Sequence, residues 1–283
     1  MIDLMLSIRT DYERIFLNIV KCARGYLQAN PNLKSLIIGL SGGIDSALTC
    51  ALASEVLKKL PDVKLIGRSI PIESNTDSEI SRAKKIGDNF CDDFKQKDLT
   101  EAYRNLYKEI IAGSERKSID SDGEKIRRGN IKARVRMICL FDIAHFEKGM
   151  VLSTDNYTEL LLGFWTLHGD VGNYGLIQYL WKTEVYGLAG YLMDKYRSEK
   201  EKLKSDALKC CIDAVPTDGL GITGSDFDQI GVTDYEAADR ILIDYLKGSE
   251  ANLDHPVILR QSGSEFKRKD PQSISREILI GDS

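Results

Sequence analysis

The chain has 283 residues, 42% of them hydrophobic and 29% charged, which is enough for a proper core in one large or two small domains. Its 39 basic and 43 acidic residues leave a formal charge of −4, so nothing in the balance calls for nucleic acid or an anionic membrane as a partner. No run approaches the roughly 18 apolar residues of a membrane span, and Arg9, Asp11, Glu13 and Arg14 precede any long apolar core, so the start does not read as a secretory signal.

In chain order, a helix is expected over 8–29, with Ile15, Ile19, Cys22, Ala23 and Tyr26 as its stripe and Pro31 as its stop. Next comes an apolar run of strand length, Leu36-Ile37-Ile38-Gly39-Leu40, and then Ser41-Gly42-Gly43-Ile44-Asp45-Ser46. Leu48, Ala51, Leu52 and Val56 recur at helical spacing, so a helix over 46–60 follows the turn. A strand, a glycine turn and a helix make a phosphate site. Glycine lets the backbone approach an anion, free N–H groups and the helix dipole face it, and Ser41 and Ser46 add hydroxyls. The pattern is neither G-x-G-x-x-G nor the Walker loop, because no lysine follows the glycines. Asp45 stands there instead. A carboxylate beside phosphates implies a bridging Mg²⁺; the plainer alternative is a helix N-cap.

A second strand is expected from Val63 to Ile70, which puts Pro71 to Asp77 near the ligand at the carboxyl end of the sheet. Helices over 78–90 and 99–112 flank a short strand at Phe90 to Phe94. Residues 113–129 lack a hydrophobic period and read as a mobile loop, either a lid or an inert excursion. In the helix over 130–147, Ile131, Val135, Ile138 and Cys139 share one face, and Ala133, Met137, Leu140 and Ala144 the opposite one. A helix apolar on two sides is buried on two sides: one against the sheet, the other against a second subunit or another helix of the chain. Arg134 lies at the edge of the first stripe, where a buried arginine needs an anionic partner.

Met150 to Ser153 reads as a further strand, with Thr154 at its end and a helix over 156–163 carrying Glu159. Residues 166–181 form a glycine- and aromatic-rich substrate loop, and Lys182 opens an amphipathic helix. Taken without context, Asn156 is a helix cap and Glu159 a solvated helix residue. A charged helix over 198–212, a second mobile loop within 216–231, a helix over 234–247 and a tail from Asn252 complete the chain. The basic cluster Lys267-Arg268-Lys269 reads, by itself, as solvated surface. The alternation of strands and helices implies an α/β fold with a doubly wound parallel sheet. There is no internal repeat or linker, so a single domain over 1–283 is expected. Six cysteines without a C-x-x-C pair imply reduced thiols and a cytoplasmic protein, and three isolated histidines do not make a zinc site.

Several motifs stand in one order: S-G-G-x-D-S, then Gly129-Asn130-Ile131-Lys132-Ala133-Arg134-Val135-Arg136-Met137, Ser153-Thr154-Asp155-Asn156, Glu159, Gly169-Asp170, Lys182-Thr183 and Pro216-Thr217-Asp218-Gly219. From about residue 35 to 271 the chain resembles the ammonia-using NAD synthetases, members of the N-type ATP pyrophosphatases. The resemblance implies a Rossmann-like adenine nucleotide alpha hydrolase-like fold and a two-step reaction. ATP adenylates the nicotinate carboxylate of deamido-NAD, and ammonia then displaces AMP. It further implies that Gly39, Leu40, Ser41, Gly42, Gly43, Ile44, Asp45 and Ser46 bind the ATP phosphates, and that Asp45 and Glu159 hold Mg²⁺. Thr154, Lys182 and Thr217 would contact ATP, and Arg134, Asn173 and Lys267 deamido-NAD. Asp170 would position ammonia or nicotinate, making Asp45, Asp170 and Lys182 the catalytic group. A homodimer through the 130–147 helix is expected, with ammonia arriving free or from a separate partner.

The chain departs from that family at several substrate positions. Leu167 stands where a lysine is usual, Asn173 where an aspartate grips deamido-NAD, and Phe266-Lys267 where a histidine–lysine pair is usual. Two other readings remain: a related enzyme amidating another carboxylate, and a non-catalytic nucleotide sensor. The second has no need of a second metal ligand such as Glu159.

Overall fold

The computed structural model describes residues 6–73, 75–112, 121–216, 227, 230–250, 253–269 and 271–280, without the side chains of 121 and 277. Five parallel strands form one sheet in the order β3-β2-β1-β4-β5: β1 (Ser35–Gly39), β2 (Lys64–Ser69), β3 (Asp93–Gln96), β4 (Gly149–Ser153) and β5 (Tyr174–Gly175). The strand order reverses beside β1, so the cleft for a ligand opens at the carboxyl ends of β1 and β4. Ile37 lies opposite Ile66 of β2 and Val151 of β4, which puts three apolar side chains of the central strands in register on one face.

Helices cover both faces. On one lie α1 (Tyr12–Ala29), α2 (Ile44–Leu57), α3 (Asp77–Phe90), α7 (Lys182–Ser198) and α8 (Lys202–Ile212), whose apolar residues join Leu36, Ile38 and Leu65. The helix α2 is apolar all round and almost wholly buried, as a central crossover helix must be. On the other face lies α5 (Ser121–Phe146), where Met137, Leu140 and Ala144 pack on Ile37, Ile66 and Val151. The stripe expected to face the sheet or a partner is thus resolved: Ala133, Met137, Leu140 and Ala144 are buried. On the other stripe, Val135 and Ile131 meet Tyr103 and Tyr107 of α4 (Thr100–Ile111), while Ile138 stays 66% exposed.

Among the boundaries that differ from the sequence reading, three have a clear physical cause. Residues 121–129 are the first turns of α5 rather than loop, because Tyr107, Glu124 and Arg127 tie this otherwise polar stretch to α4; residues 113–120 lie outside the described set. The third strand starts at Asp93, since α3 runs to Phe90 and Cys91 caps it. A break at 199–201 separates α7 from α8, with Lys200 at φ +63.

The end of the chain is helical too. It contains α9 (Tyr235–Leu246), α10 (Pro256–Gly263), α11 (Glu265–Arg268) and α12 (Arg276–Ile280). Of these, α9 and α10 join α6 (Tyr157–Leu162) around a second apolar cluster that includes Leu161, Trp181, Tyr235 and Leu242. The basic cluster is not merely solvated. Arg268 donates to the carbonyls of Leu161 and Gln261, Arg260 to that of Leu162, and Lys267 to those of Gly163 and Trp165. These cations satisfy the free carbonyls at the end of α6, where the helix dipole is negative.

Candidate active site

A cavity of about 430 Å³ opens at the carboxyl ends of β1, β2 and β4. Its floor is the loop between β1 and α2. The N-cap of α2 is Gly43, so Asp45 lies inside the first turn and is not the cap. Gly42 has φ +85, and a Cβ there would stand 2.3 Å from the carbonyl oxygen of Glu79. Only glycine fits both the left-handed backbone and that close approach. The carbonyl of Gly42 accepts from Arg82 Nε at 2.8 Å, which locks the loop against α3. The hydroxyls of Ser41 and Ser46 lie 3.1 Å apart, and Ser46 Oγ donates to Gly43 O.

Above the loop stands a buried ionic cluster. Lys182, the first residue of α7 and 2% exposed, donates from Nζ to Asp45 Oδ2 at 2.6 Å and to Glu159 Oε1 at 2.8 Å. Asn156 caps α6 by accepting from Glu159 N–H, and its Nδ2 donates to Asp45 Oδ1 at 2.8 Å. Glu159 is therefore not a solvated helix residue. Burial and then the charge of Asp45 push its carboxyl up to about 8, against the pull of Lys182. Burial alone would lower Lys182; the two carboxylates outweigh it and hold the ammonium well above its ordinary value.

Two more carboxylates line the cavity. Asp155 is 7% exposed and accepts from Ser153 Oγ at 2.7 Å; burial, with help from the charges of Asp170 and Asp45, pushes it up to about 7. Asp170 is also raised by burial, and it accepts from the N–H of Thr166. Thr166 Oγ1 in turn donates to Asn130 Oδ1 at 2.8 Å, so α5 holds the turn that carries Asp170. The sequence reading passed over Asn130, Asp155 and Arg136 as site residues. Arg136 lines the cavity and donates to Ile70 O and Asn75 Oδ1; its place two residues after Arg134 in the G-N-x-K-A-R-x-R-M stretch was the available signal.

The cavity gathers Gly39, Leu40, Ser41, Gly43, Ile44, Asp45, Ser46, Thr154, Glu159, Asp170, Lys182 and Lys267 of the expected set. Thr217 lies outside the described residues, as does most of the loop 217–230. Arg134 and Asn173 are not in its lining. Arg134 donates to Leu167 O at 3.2 and 2.9 Å and faces a separate groove between α4 and α5. Asn173 is held by β4: its N–H donates to Val151 O, and its Oδ1 accepts from Val151 N–H at 3.1 Å. Gly172 permits that approach, since a Cβ there would stand 2.6 Å from the β4 backbone.

A glycine loop at a helix N-terminus, two carboxylates bridged by an ammonium and two further buried carboxylates beside them suit chemistry on a nucleotide. A family model described as NAD synthase matches residues 15–271. The chain belongs to the NAD synthase family. Among its relatives, the "NH(3)-dependent NAD(+) synthetase" of Methanococcoides burtonii is 31% identical over 265 residues, covering 88% of this chain and 90% of that protein. The protein of the same description from Thermoplasma acidophilum is 30% identical over 271 residues, covering 94% and 99%. The fold is shared with solved structures. The NMN synthetase of Francisella tularensis has a TM-score of 0.75 at 22% identity, covering 94% of this chain and 99% of that one. The NH3-dependent NAD synthetase of Campylobacter jejuni has a TM-score of 0.68 at 22% identity, covering 94% and 100%. The five-stranded parallel sheet agrees with the doubly wound fold that the NAD synthase family implies.

Proposed function

We propose that this NAD synthase family member converts deamido-NAD to NAD, using ATP to activate the nicotinate carboxylate and ammonia as the nitrogen donor. The observation that carries this reading is the Asp45–Lys182–Glu159 cluster over the phosphate loop, inside a chain matched by the family model over 15–271. A nicotinate oxygen attacks the α-phosphorus of ATP, and the bond to the β-phosphate oxygen breaks with loss of pyrophosphate. Ammonia then attacks the carbonyl carbon, the bond to the AMP oxygen breaks, and one proton is released. Positive charge must meet the departing pyrophosphate and water must be excluded from the acyl adenylate. Lys182, Arg82, Arg136 and Lys267 all line the cavity and supply that charge.

Asp45 and Glu159 are the proposed Mg²⁺ ligands. Both carboxylates reach the same ammonium within 2.8 Å, so they are close enough to share one ion; Mg²⁺ is commonly bound by one or two carboxylates together with substrate phosphates. The metal would neutralise charge on the phosphates. The loop Gly39 to Ser46 is assigned to the phosphates, Thr154, Thr217 and Lys182 to ATP, and Lys267 to the nicotinate nucleotide. Asp170 is assigned to ammonia or the nicotinate. Arg134 and Asn173 are assigned to deamido-NAD; Arg134 stands by Leu167 at a separate groove, and Asn173 is exposed beside β4. A homodimer is proposed through α4 and α5, where Leu106, Ile110, Ile138 and Phe141 are exposed on adjoining helices. Cysteine usage supports a cytoplasmic location.

A second reading is favoured by one observation. Asn173 stands where the family has an aspartate that grips deamido-NAD, and a nicotinate mononucleotide, the acid suggested by the fold's likeness to an NMN synthetase, would meet the same acyl-activating site without the dinucleotide's second half. The deciding experiment measures pyrophosphate, AMP and amide with ATP, Mg²⁺ and ammonium, comparing deamido-NAD with nicotinate mononucleotide, and Asp45→Ala as control. NAD formed faster from the dinucleotide, with a dead control, supports the first reading. Preference for the mononucleotide supports the second, and neither product with either acid refutes both.

A further inference from the structure

Lys182 and Glu159 sit on different helices, and the 2.8 Å contact between them requires that α6 and α7 keep their relative position. Local sequence does not provide this. Trp181, the N-cap of α7, offers no side-chain oxygen to the helix. The substitute comes from α9. Asp239, fully buried, accepts from Thr183 N–H at 2.9 Å and from Thr183 Oγ1 at 2.7 Å with one carboxylate oxygen. Its other oxygen accepts from Thr158 Oγ1. Thr158 Oγ1 in turn accepts the backbone N–H of Lys182 at 2.8 Å.

One carboxylate thus ties together the residue after Lys182, the residue before Glu159, and the backbone of Lys182 itself. A neutral side chain would serve poorly. Three donors converge on two oxygens, and an amide would turn its NH₂ against either the Thr183 donors or the Thr158 hydroxyl. The placement suits a negative charge as well, at the N-terminus of a 17-residue helix. From the same α9, Tyr235 lays its ring 4.9 Å from Lys182 Nζ, so the helix reaches the lysine at both its backbone and its head.

We infer that Asp239 is a positioning residue for the reaction: through Thr158 and Thr183 it sets the register of α6 against α7, and so the distance between Lys182 and Glu159. The inference rests on the assignment of Lys182 to ATP. It gives the α9 helix a part in the chemistry although Asp239 is not in the cavity lining.

The test is a double-mutant cycle on adenylate formation, read in single turnover with ATP, Mg²⁺ and the nicotinate nucleotide. Asp239→Asn and the near-isosteric Thr158→Val are each expected to lower the rate of pyrophosphate formation about tenfold or more. KM for ATP should stay within about twofold, since the phosphate loop is untouched. In a Lys182→Met background neither change should lower the rate further, because its target is gone. A loss that multiplies with Lys182→Met, or a rise in KM with no fall in rate, would overturn the inference. Thr158→Val keeps volume and serves if Asp239→Asn does not fold. A crystal structure of Thr158→Val adds a readout independent of turnover. There the Lys182 Nζ–Glu159 Oε1 contact should open beyond hydrogen-bond range, about 3.5 Å; an unchanged contact refutes the inference. A wild-type protein inactive with both acids would overturn the amidation reading instead, and the structural arm would still decide the role of Asp239.

Discussion

Replacing Lys182 by Met separates the ionic argument from the packing argument. The methionine fills most of the same space, so little cavity is created. What is lost is an ammonium 2% exposed that bridges Asp45 at 2.6 Å and Glu159 at 2.8 Å. Removing one partner of a buried ion pair costs about 3–5 kcal/mol, because the remaining charge is left uncompensated. Two features bring this toward the lower figure. Asn156 still donates to Asp45, and Glu159, already pushed up to about 8, can take a proton instead of standing charged. About 3 kcal/mol is therefore expected, a fall in Tm of roughly 5 °C for a chain of this size. The pH dependence has a definite sign. A carboxyl raised above its unfolded value contributes stability that is full below the unfolded value and is lost as pH rises through the folded value. The deficit of Lys182→Met should thus widen from pH 5 to pH 9. Differential scanning calorimetry across that range provides the measurement. A Tm within about 1 °C of wild type at pH 8, or a deficit that narrows with rising pH, would refute the claim that Lys182 neutralises the two carboxylates.

The remaining predictions concern the loop, the acidic pocket and the exposed helix face. Gly42→Ala should lower stability by at least about 1–2 kcal/mol for the left-handed backbone alone, with the Glu79 carbonyl contact adding to it, and should abolish saturable ATP binding by calorimetry; normal ATP affinity would refute the role of the close approach. Asp155→Asn should stabilise the protein at pH 8 relative to pH 5. Its carboxyl, raised from 3.8 to about 7 by burial, carries a cost when ionised whose upper bound is about 4 kcal/mol. Urea midpoints at the two pH values test this, and equal effects at both would count against burial as the cause. Ile138→Lys should shift the mass measured by light scattering from dimer to monomer, and a mass unchanged at micromolar concentration would remove α5 from the interface.

The phosphate loop was legible because it is local. An apolar strand, two glycines and a helix are contiguous, and their backbone geometry follows from the residues themselves. The two-sided character of α5 was legible for the same reason: Ala133, Met137, Leu140 and Ala144 recur with the helical period whatever they pack against. Contacts across long sequence separations were a different matter. Lys182 and Asp45 are 137 residues apart, and Asn156 and Asp45 are 111 apart, so their hydrogen bonds exist only once β1 and β4 lie side by side. Motif order pointed to Lys182 and the local sequence to Asn156 as the cap of α6, yet neither carried a sign that Asn156 would also hold Asp45.

Asn173, Glu159 and the basic cluster show the limit most clearly. Nothing local in the sequence shows that the Asn173 side chain accepts from Val151 N–H; the packing of Gly172 against the β4 backbone makes that contact possible. A glutamate in the first turn of a short helix reads as solvated until α7 brings an ammonium to it. Lys267 and Arg268 read as surface charge until folding sets them against the unsatisfied carbonyls at the end of α6. The chain's local order therefore dictates its elements and their buried faces, through periodicity, turns and caps. Which polar groups meet, and hence which charges are paired or raised, is decided by packing, because those energies depend on distance and burial that no short stretch of sequence contains.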